Sequence, residues 1–192
     1  MRIGIYGGTF NPPHIGHVHA AREAARMLEL DRLLIIPDNV PPHKELPAGS
    51  PANGQRLEMA RLAFGAIPCA EVSDMELCRA GKSYSADTVR QVHEQYPEAE
   101  LWLLMGSDML EIFHLWHAPE EIVRYAKLAT FARGDAGEQA MFDQMIPLLK
   151  QNFGAEITLI PMQTLPASST EIRQLAAQGK AEELLQEQVL GY

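Results

Sequence analysis

The chain has 192 residues, 46% of them hydrophobic, which is enough to close one domain around a real core and too little for a second full one. Its 16 basic and 25 acidic residues leave a net charge of −9, which excludes broad electrostatic adhesion to nucleic acid or anionic lipid and confines any polyanion to a local pocket. Two cysteines without C-x-x-C spacing, no apolar run near the roughly 20 residues of a bilayer span, and no charged-then-apolar leader at Met1-Arg2-Ile3 predict a cytoplasmic chain with reduced thiols and no membrane partner.

In chain order, Arg2-Ile3-Gly4-Ile5-Tyr6 alternates as a strand, and Gly7-Gly8 breaks it. Thr9, Pro12 and Pro13 then lead into a helix predicted over 17–29. A glycine turn between a strand's carboxyl end and a helix amino end presents unpaired N–H groups and positive dipole, a natural seat for phosphate. It is neither G-x-x-x-x-G-K-[ST] nor G-x-G-x-x-G. His14 and His17, three apart, share a helical face at that mouth. Three readings of the pair stay open: donors to phosphate, partners of turn carbonyls, or metal ligands with His19, which points off the shared face and lacks an H-E-x-x-H context.

Apolar runs recur at 33–36, 101–105, 127–131 and 156–160, separated by helical periodicity over 54–65, 85–95, 119–126, 138–150 and 169–178. This alternation predicts an α/β fold: βαβ units with right-handed crossovers, a mainly parallel sheet of about five or six strands, and helices on both faces. Ligands then belong at the strands' carboxyl ends. Residues 38–53 are long for a compact connection and read either as a functional loop or as a solvated excursion. Gly106 and Asp108 follow the 101–105 run, where a carboxylate can accept from ribose hydroxyls. Trp116 reads as core or as a stacking platform. Ser168-Ser169-Thr170-Glu171 forms a capping box that also offers hydroxyls and N–H groups to a phosphate, with Arg173 adding a charged fork one turn on.

Pro13-His14-Ile15-Gly16-His17 contains the H-x-G-H signature of the nucleotidyltransferase α/β superfamily. Ala167-Ser168-Ser169-Thr170-Glu171-Ile172-Arg173 resembles the I-S-S-T-x-x-R motif of its small adenylyltransferases, about 150 residues away. The K-M-S-K-S-type loop of class I aminoacyl-tRNA synthetases, which share the first signature, is missing. Between the end motifs lie Pro41-Pro42-His43-Lys44, Lys82-Ser83-Tyr84-Ser85-Ala86-Asp87-Thr88, Met105-Gly106-Ser107-Asp108 followed by Trp116, and Ala132-Arg133. Together they make the whole chain similar to the bacterial nicotinate-nucleotide adenylyltransferase family. The sister family that makes dephospho-coenzyme A typically has T-x-G-H in place of P-P-H-x-G-H. Asn11 stands where aspartate is common and keeps a side-chain oxygen; Ser85 replaces the usual threonine and keeps the hydroxyl.

The resemblance implies a Rossmann-like doubly wound fold over a single nucleotidyltransferase domain, 1–192. It implies transfer of the AMP moiety of ATP to nicotinate mononucleotide, giving deamido-NAD and pyrophosphate, with Mg²⁺ bound to ATP and no dedicated metal cage. His14, His17 and Arg173 are then catalytic through phosphate positioning. Gly7, Gly8, Thr9, Phe10, Gly106, Asp108, Arg133, Ser168, Ser169 and Thr170 would bind ATP, and Lys44, Tyr84, Ser85, Asp87 and Trp116 the acceptor. Lys44 also reads as a solvated loop lysine. Nicotinamide mononucleotide or phosphopantetheine as acceptor, a non-catalytic nucleotide-binding domain, and homo-oligomeric assembly stay open.

Overall fold

A computed structural model describes residues 1–42, 45–134, 136–162 and 168–178. Six strands, β1 (Arg2–Gly8), β2 (Arg32–Pro37), β3 (Ala70–Val72), β4 (Glu100–Gly106), β5 (Ala126–Ala132) and β6 (Ile157–Pro161), form one sheet in the order 3-2-1-4-5-6. Every pairing is parallel. The connections carry α1 (Ile15–Met27), α2 (Asn53–Phe64), α3 (Ser85–Gln95), α4 (Ser107–Glu111), a 3₁₀ turn (Phe113–Leu115), α5 (Pro119–Tyr125) and α6 (Ala136–Phe153); α7 (Ser169–Ala177) follows β6. This is the doubly wound Rossmann-like order that the alternation of runs predicts.

Both faces of the sheet are covered, which is why its central strands are near-continuous apolar runs. On one face Tyr6, Leu33, Ile35, Leu104 and Phe131 pack against Val18, Ala21 and Ala24 of α1 and Met59, Ala60 and Phe64 of α2. On the other, Ile3, Ile5, Leu34, Leu101 and Leu103 meet Val89 and Val92 of α3, Ile122 of α5, and Phe142 and Leu149 of α6. Each such large side chain removed from water contributes about 1.5–3 kcal/mol. Three elements lie outside the five runs and six periodic stretches: β3, α4 and the three-residue 3₁₀ turn. β3 is three residues long with an exposed glutamate, so neither period is visible; Glu71 instead caps the sheet edge, paired with Arg32 at 2.5 Å. α4 has five residues and no room for a periodic pattern. No helix among the described residues is long and apolar enough to cross a membrane.

What positions the site is a break in pairing. β1 stays paired with β2 out to Gly8 opposite Pro37, and β4 with β5 out to Gly106 opposite Phe131. Between β1 and β4, however, pairing ends at Tyr6 opposite Leu104. The chain leaves β1 toward β2 and β3 and returns to β4 on the other side, so beyond Tyr6 the two central strands part and open a crevice.

At Gly4, in the middle of β1, an added Cβ would lie 2.5 Å from Leu30 Cδ1 and 2.9 Å from Leu33 Cδ1, both in the core. Gly4→Ala is expected to lower stability by about 1–3 kcal/mol, read as a lower denaturant midpoint at unchanged slope. An unshifted midpoint would show that this contact is not tight.

Candidate active site

The crevice is a cleft of about 860 Å³, within the range of small-molecule sites. One wall is Gly7 to Phe10 with the start of α1; contrary to the expectation from sequence, Gly7 and Gly8 do not break β1 but stay paired with Ile36 and Pro37, so the turn begins at Thr9. The other wall is Leu103 to Met109 at the end of β4. His14 is the N-cap of α1, extended at φ −149° and ψ 172°, and the first turn carries no acidic residue. The first-turn N–H groups lack partners within the helix and lie at its positive end.

The two imidazoles stack, ring centres 3.7 Å apart at 31°. The His14 backbone N–H donates to His17 Nδ1 at 3.2 Å, so a neutral His17 carries its proton on Nε2. Phe10 holds His17 from the other side, edge-on at 5.3 Å. Phe10 itself has φ +46° and is 2% exposed, packed against Tyr6 and Phe64. Its ring therefore belongs to the core and to His17 more than to a nucleotide. His14 is buried, with Nδ1 unpartnered among the described residues, and burial pushes its imidazole down to about 4. It is neutral near pH 7, so in the free protein it is a hydrogen-bonding group rather than a charge. The glycine of the H-x-G-H signature has a steric reason: a Cβ at Gly16 would sit 3.1 Å from His14 Nδ1.

The carboxyl-terminal motif closes the same cleft. Ser168, Ser169 and Thr170 line it, and Ser168 caps α7 by accepting from the Glu171 N–H at 3.2 Å. Two bonds stitch α7 to the loop before α1: Ser169 Oγ donates to the Pro12 carbonyl at 2.9 Å, and Arg173 Nη1 to the Asn11 carbonyl at 2.5 Å. Arg173 Nη2 also donates to Thr170 Oγ1 at 3.1 Å, which folds the guanidinium behind the wall and leaves the helix start facing the cleft. The amino ends of α1 and α7 thus converge on one space.

On the opposite wall Asp108 is exposed, its carboxylate folded back over Gly106, where a Cβ would collide with Oδ1. Arg133 lines the cleft from the end of β5, its backbone N–H on Glu138 Oε2. Ser85, at the start of α3, and Trp116 line the remaining side. Two expected acceptor contacts stand away from it. Tyr84 packs on the His117 ring at 4.3 Å, and Asp87 is paired with Arg90 at 2.6 Å. Lys44 lies outside the described residues. The Thr9 hydroxyl is not presented as a free donor: it gives its proton to Asp38 Oδ2 at 2.8 Å.

Sequence reasoning missed three buried groups. Asp38 follows the end of β2, where the positional rule that picked out Asp108 also applies. Glu76 lines the cleft and accepts from Thr88 Oγ1 at 2.6 Å; burial raises its carboxyl, against the lowering pull of the Thr88 and Ser83 hydroxyls and Arg79. Arg56 is fully buried in the same stripe of α2 as Met59, Ala60 and Ala63, an anomaly legible as a charge at an apolar position.

Residues 5–175 match the family model described as cytidylyltransferase-like. A protein of Exiguobacterium sibiricum named "Probable nicotinate-nucleotide adenylyltransferase" is 36% identical over 94% of this chain and 89% of its own. A protein of that name from Gloeobacter violaceus is 39% identical over 100% of this chain and 92% of its own. The chain belongs to the nicotinate-nucleotide adenylyltransferase family. The fold agrees: a Plasmodium falciparum nicotinic acid mononucleotide adenylyltransferase complexed with NaAD superposes at a TM-score of 0.76, with 17% identity over 100% of this chain and 93% of that one. The adenylyltransferase family thus includes a chain whose two end motifs meet across a parted pair of central strands.

Because the folded-state pKa of His14 lies below its ordinary 6.5, protons favour the unfolded chain between the two values. Its contribution to stability is complete above about pH 6.5 and falls by roughly 3 kcal/mol as the pH drops through about 4. Subtracting the pH–stability curve of His14→Gln from that of the parent is expected to isolate this slope. A flat difference curve would show that His14 titrates normally.

Proposed function

We propose that residues 1–192 act as one cytoplasmic nucleotidyltransferase unit that moves the AMP moiety of ATP onto nicotinate mononucleotide, giving deamido-NAD and pyrophosphate. The observation carrying this reading is the single cleft whose walls come from both end motifs, in a chain 36% identical over 94% of its length to a relative named for this activity.

In the step, a phosphate oxygen of the mononucleotide attacks the α-phosphorus of ATP. The bond from that phosphorus to the bridging oxygen breaks, and pyrophosphate leaves with the electron pair. The attacking oxygen is already anionic near neutral pH, so no side chain has to remove a proton. Holding the two reactants in line can supply on the order of 7–11 kcal/mol, against about 3–5 kcal/mol for a general base. The residues suit that division of labour. The amides of Gly7, Gly8 and the first turn of α1 cradle phosphate, and Nε2–H of His17 and neutral His14 donate to oxygens whose charge grows in the transition state. Ser168, Ser169 and Thr170 close the triphosphate side. Arg173 turns from the Asn11 carbonyl to the departing phosphates or, staying put, fixes α7 against α1. Asp108 accepts from the ATP ribose; Ser85 and Trp116 receive the nicotinate ring, with the indole as its platform.

A Mg²⁺ ion bound to the triphosphate would offset its charge. Among the described residues no group of three or more His, Cys, Asp or Glu side chains could hold a metal, and Asp38 in the cleft is engaged by Arg56 and Thr9. That donor set fits an ion carried mainly by phosphate oxygens and water.

Incubation with ATP and Mg²⁺ against nicotinate mononucleotide, nicotinamide mononucleotide and phosphopantetheine in parallel is expected to release pyrophosphate fastest with the first, in step with deamido-NAD. Preference for either other acceptor would overturn the acceptor assignment. His17→Ala is expected to lower kcat by about 10²–10³ with a smaller change in ATP affinity. An unchanged kcat would remove His17 from the transition state.

A further inference from the structure

Behind Thr9 and Asp38 lies a cation that does not itself line the cleft. Arg56 is 0% exposed, and its guanidinium is spread over three segments. Nη1 donates to the Thr9 carbonyl at 2.7 Å and to Asp38 Oδ1 at 3.1 Å; Nη2 donates to the Asp38 carbonyl at 2.6 Å and to Asn53 Oδ1 at 2.7 Å. Asp38 returns the tie by accepting from Thr9 Oγ1. Only a planar fork reaches this set of acceptors at once; an ammonium on a flexible stem would satisfy a part of it.

The network then continues toward the other half of the site. Asn53 Nδ2 donates to Asn39 Oδ1 at 2.7 Å, the Asn39 backbone N–H donates to Ser83 Oγ at 2.9 Å, and Asn39 Nδ2 donates to the Arg79 carbonyl at 2.8 Å. The Ser83 N–H donates to the Val40 carbonyl at 2.9 Å. Ser83 and Ser85 line the cleft where the acceptor is assigned, and Gly7, Gly8 and Thr9 line it where the triphosphate is assigned.

We infer that Arg56 is a positioning residue: it holds the phosphate-side turn and, through Asn53 and Asn39, the acceptor-side segment 83–85 in one rigid frame. In-line transfer needs the two bound reactants placed to within a fraction of an ångström, and a buried multidentate cation fixes both supports without meeting either ligand. The assignment rests on the adenylyl transfer proposed above, since it names the two halves by their ligands.

Two variants separate the parts of the frame. Arg56→Lys keeps the charge and loses the fork; Asn39→Ala leaves every Arg56 hydrogen bond in place and cuts the side-chain links to Asn53 and Arg79. Steady-state rates are measured with ATP and acceptor varied separately, beside a thermal midpoint for each protein. Arg56→Lys is expected to lower kcat/KM for both substrates by about 10–100-fold. Asn39→Ala is expected to raise KM for the acceptor about 10-fold and to leave KM for ATP within about twofold. A purely structural role would shift midpoints without this split, so unchanged constants, or an equal rise in both KM values for Asn39→Ala, overturns the inference. Should Arg56→Lys not fold, the Asn39→Ala split decides alone. A parent enzyme that prefers another acceptor defeats the substrate assignment only, and the split is then read on the acceptor it turns over.

Discussion

Two central strands lose each other at Tyr6 and Leu104 while each keeps its outer partner, and the site follows from that constraint. Hydrogen bonding would otherwise zip β1 to β4 as far as their ends. The glycine turn pulls one strand toward β2, the start of α4 pulls the other toward β5, and the gap between them exposes backbone donors in a space walled by low-dielectric core. Whatever binds there meets oriented dipoles as well as the charged side chains of Asp108 and Arg133.

That arrangement accounts for a feature at odds with simple expectation. A chain of net charge −9 is assigned two polyanionic substrates, yet the guanidinium nearest the glycine turn is buried behind the wall and neutralises Asp38, and a second, Arg173, is bonded to a carbonyl. Attraction therefore comes from helix ends, backbone amides and imidazoles, one of them neutral by burial, with Arg133 the arginine that lines the cleft. Such groups are already aligned when a ligand arrives and need little reorganisation, at the cost of holding polar atoms such as His14 Nδ1 and Asn11 Oδ1 without partners in the described structure.

Much of this was legible in the residues, for identifiable reasons. Strand and helix alternate with clear periods, so the doubly wound sheet and the 85–95 helix could be read directly, and the strand-end rule put His14, Asp108 and the glycine turn on one side. Elements below the length of a period, β3 and α4, could not be seen. Chemistry was harder to read wherever a side chain has two possible partners. The Thr9 hydroxyl gives its proton to Asp38, a choice with no signature in spacing; the Asp87 carboxylate pairs with Arg90 at i,i+3 on α3, which helical spacing does offer. Arg56 did have a signature, a cation in the apolar stripe of α2.

The stitches from Ser169 and Arg173 to the carbonyls of Pro12 and Asn11 join residues more than 150 positions apart in the chain. During synthesis β1 leaves the ribosome early and must wait for β4 to flank it, and the loop ahead of α1 must wait longer still for α7. The cleft is thus closed only once α7 has been made. A chain interrupted before α7 would hold the sheet with one wall of the cleft missing.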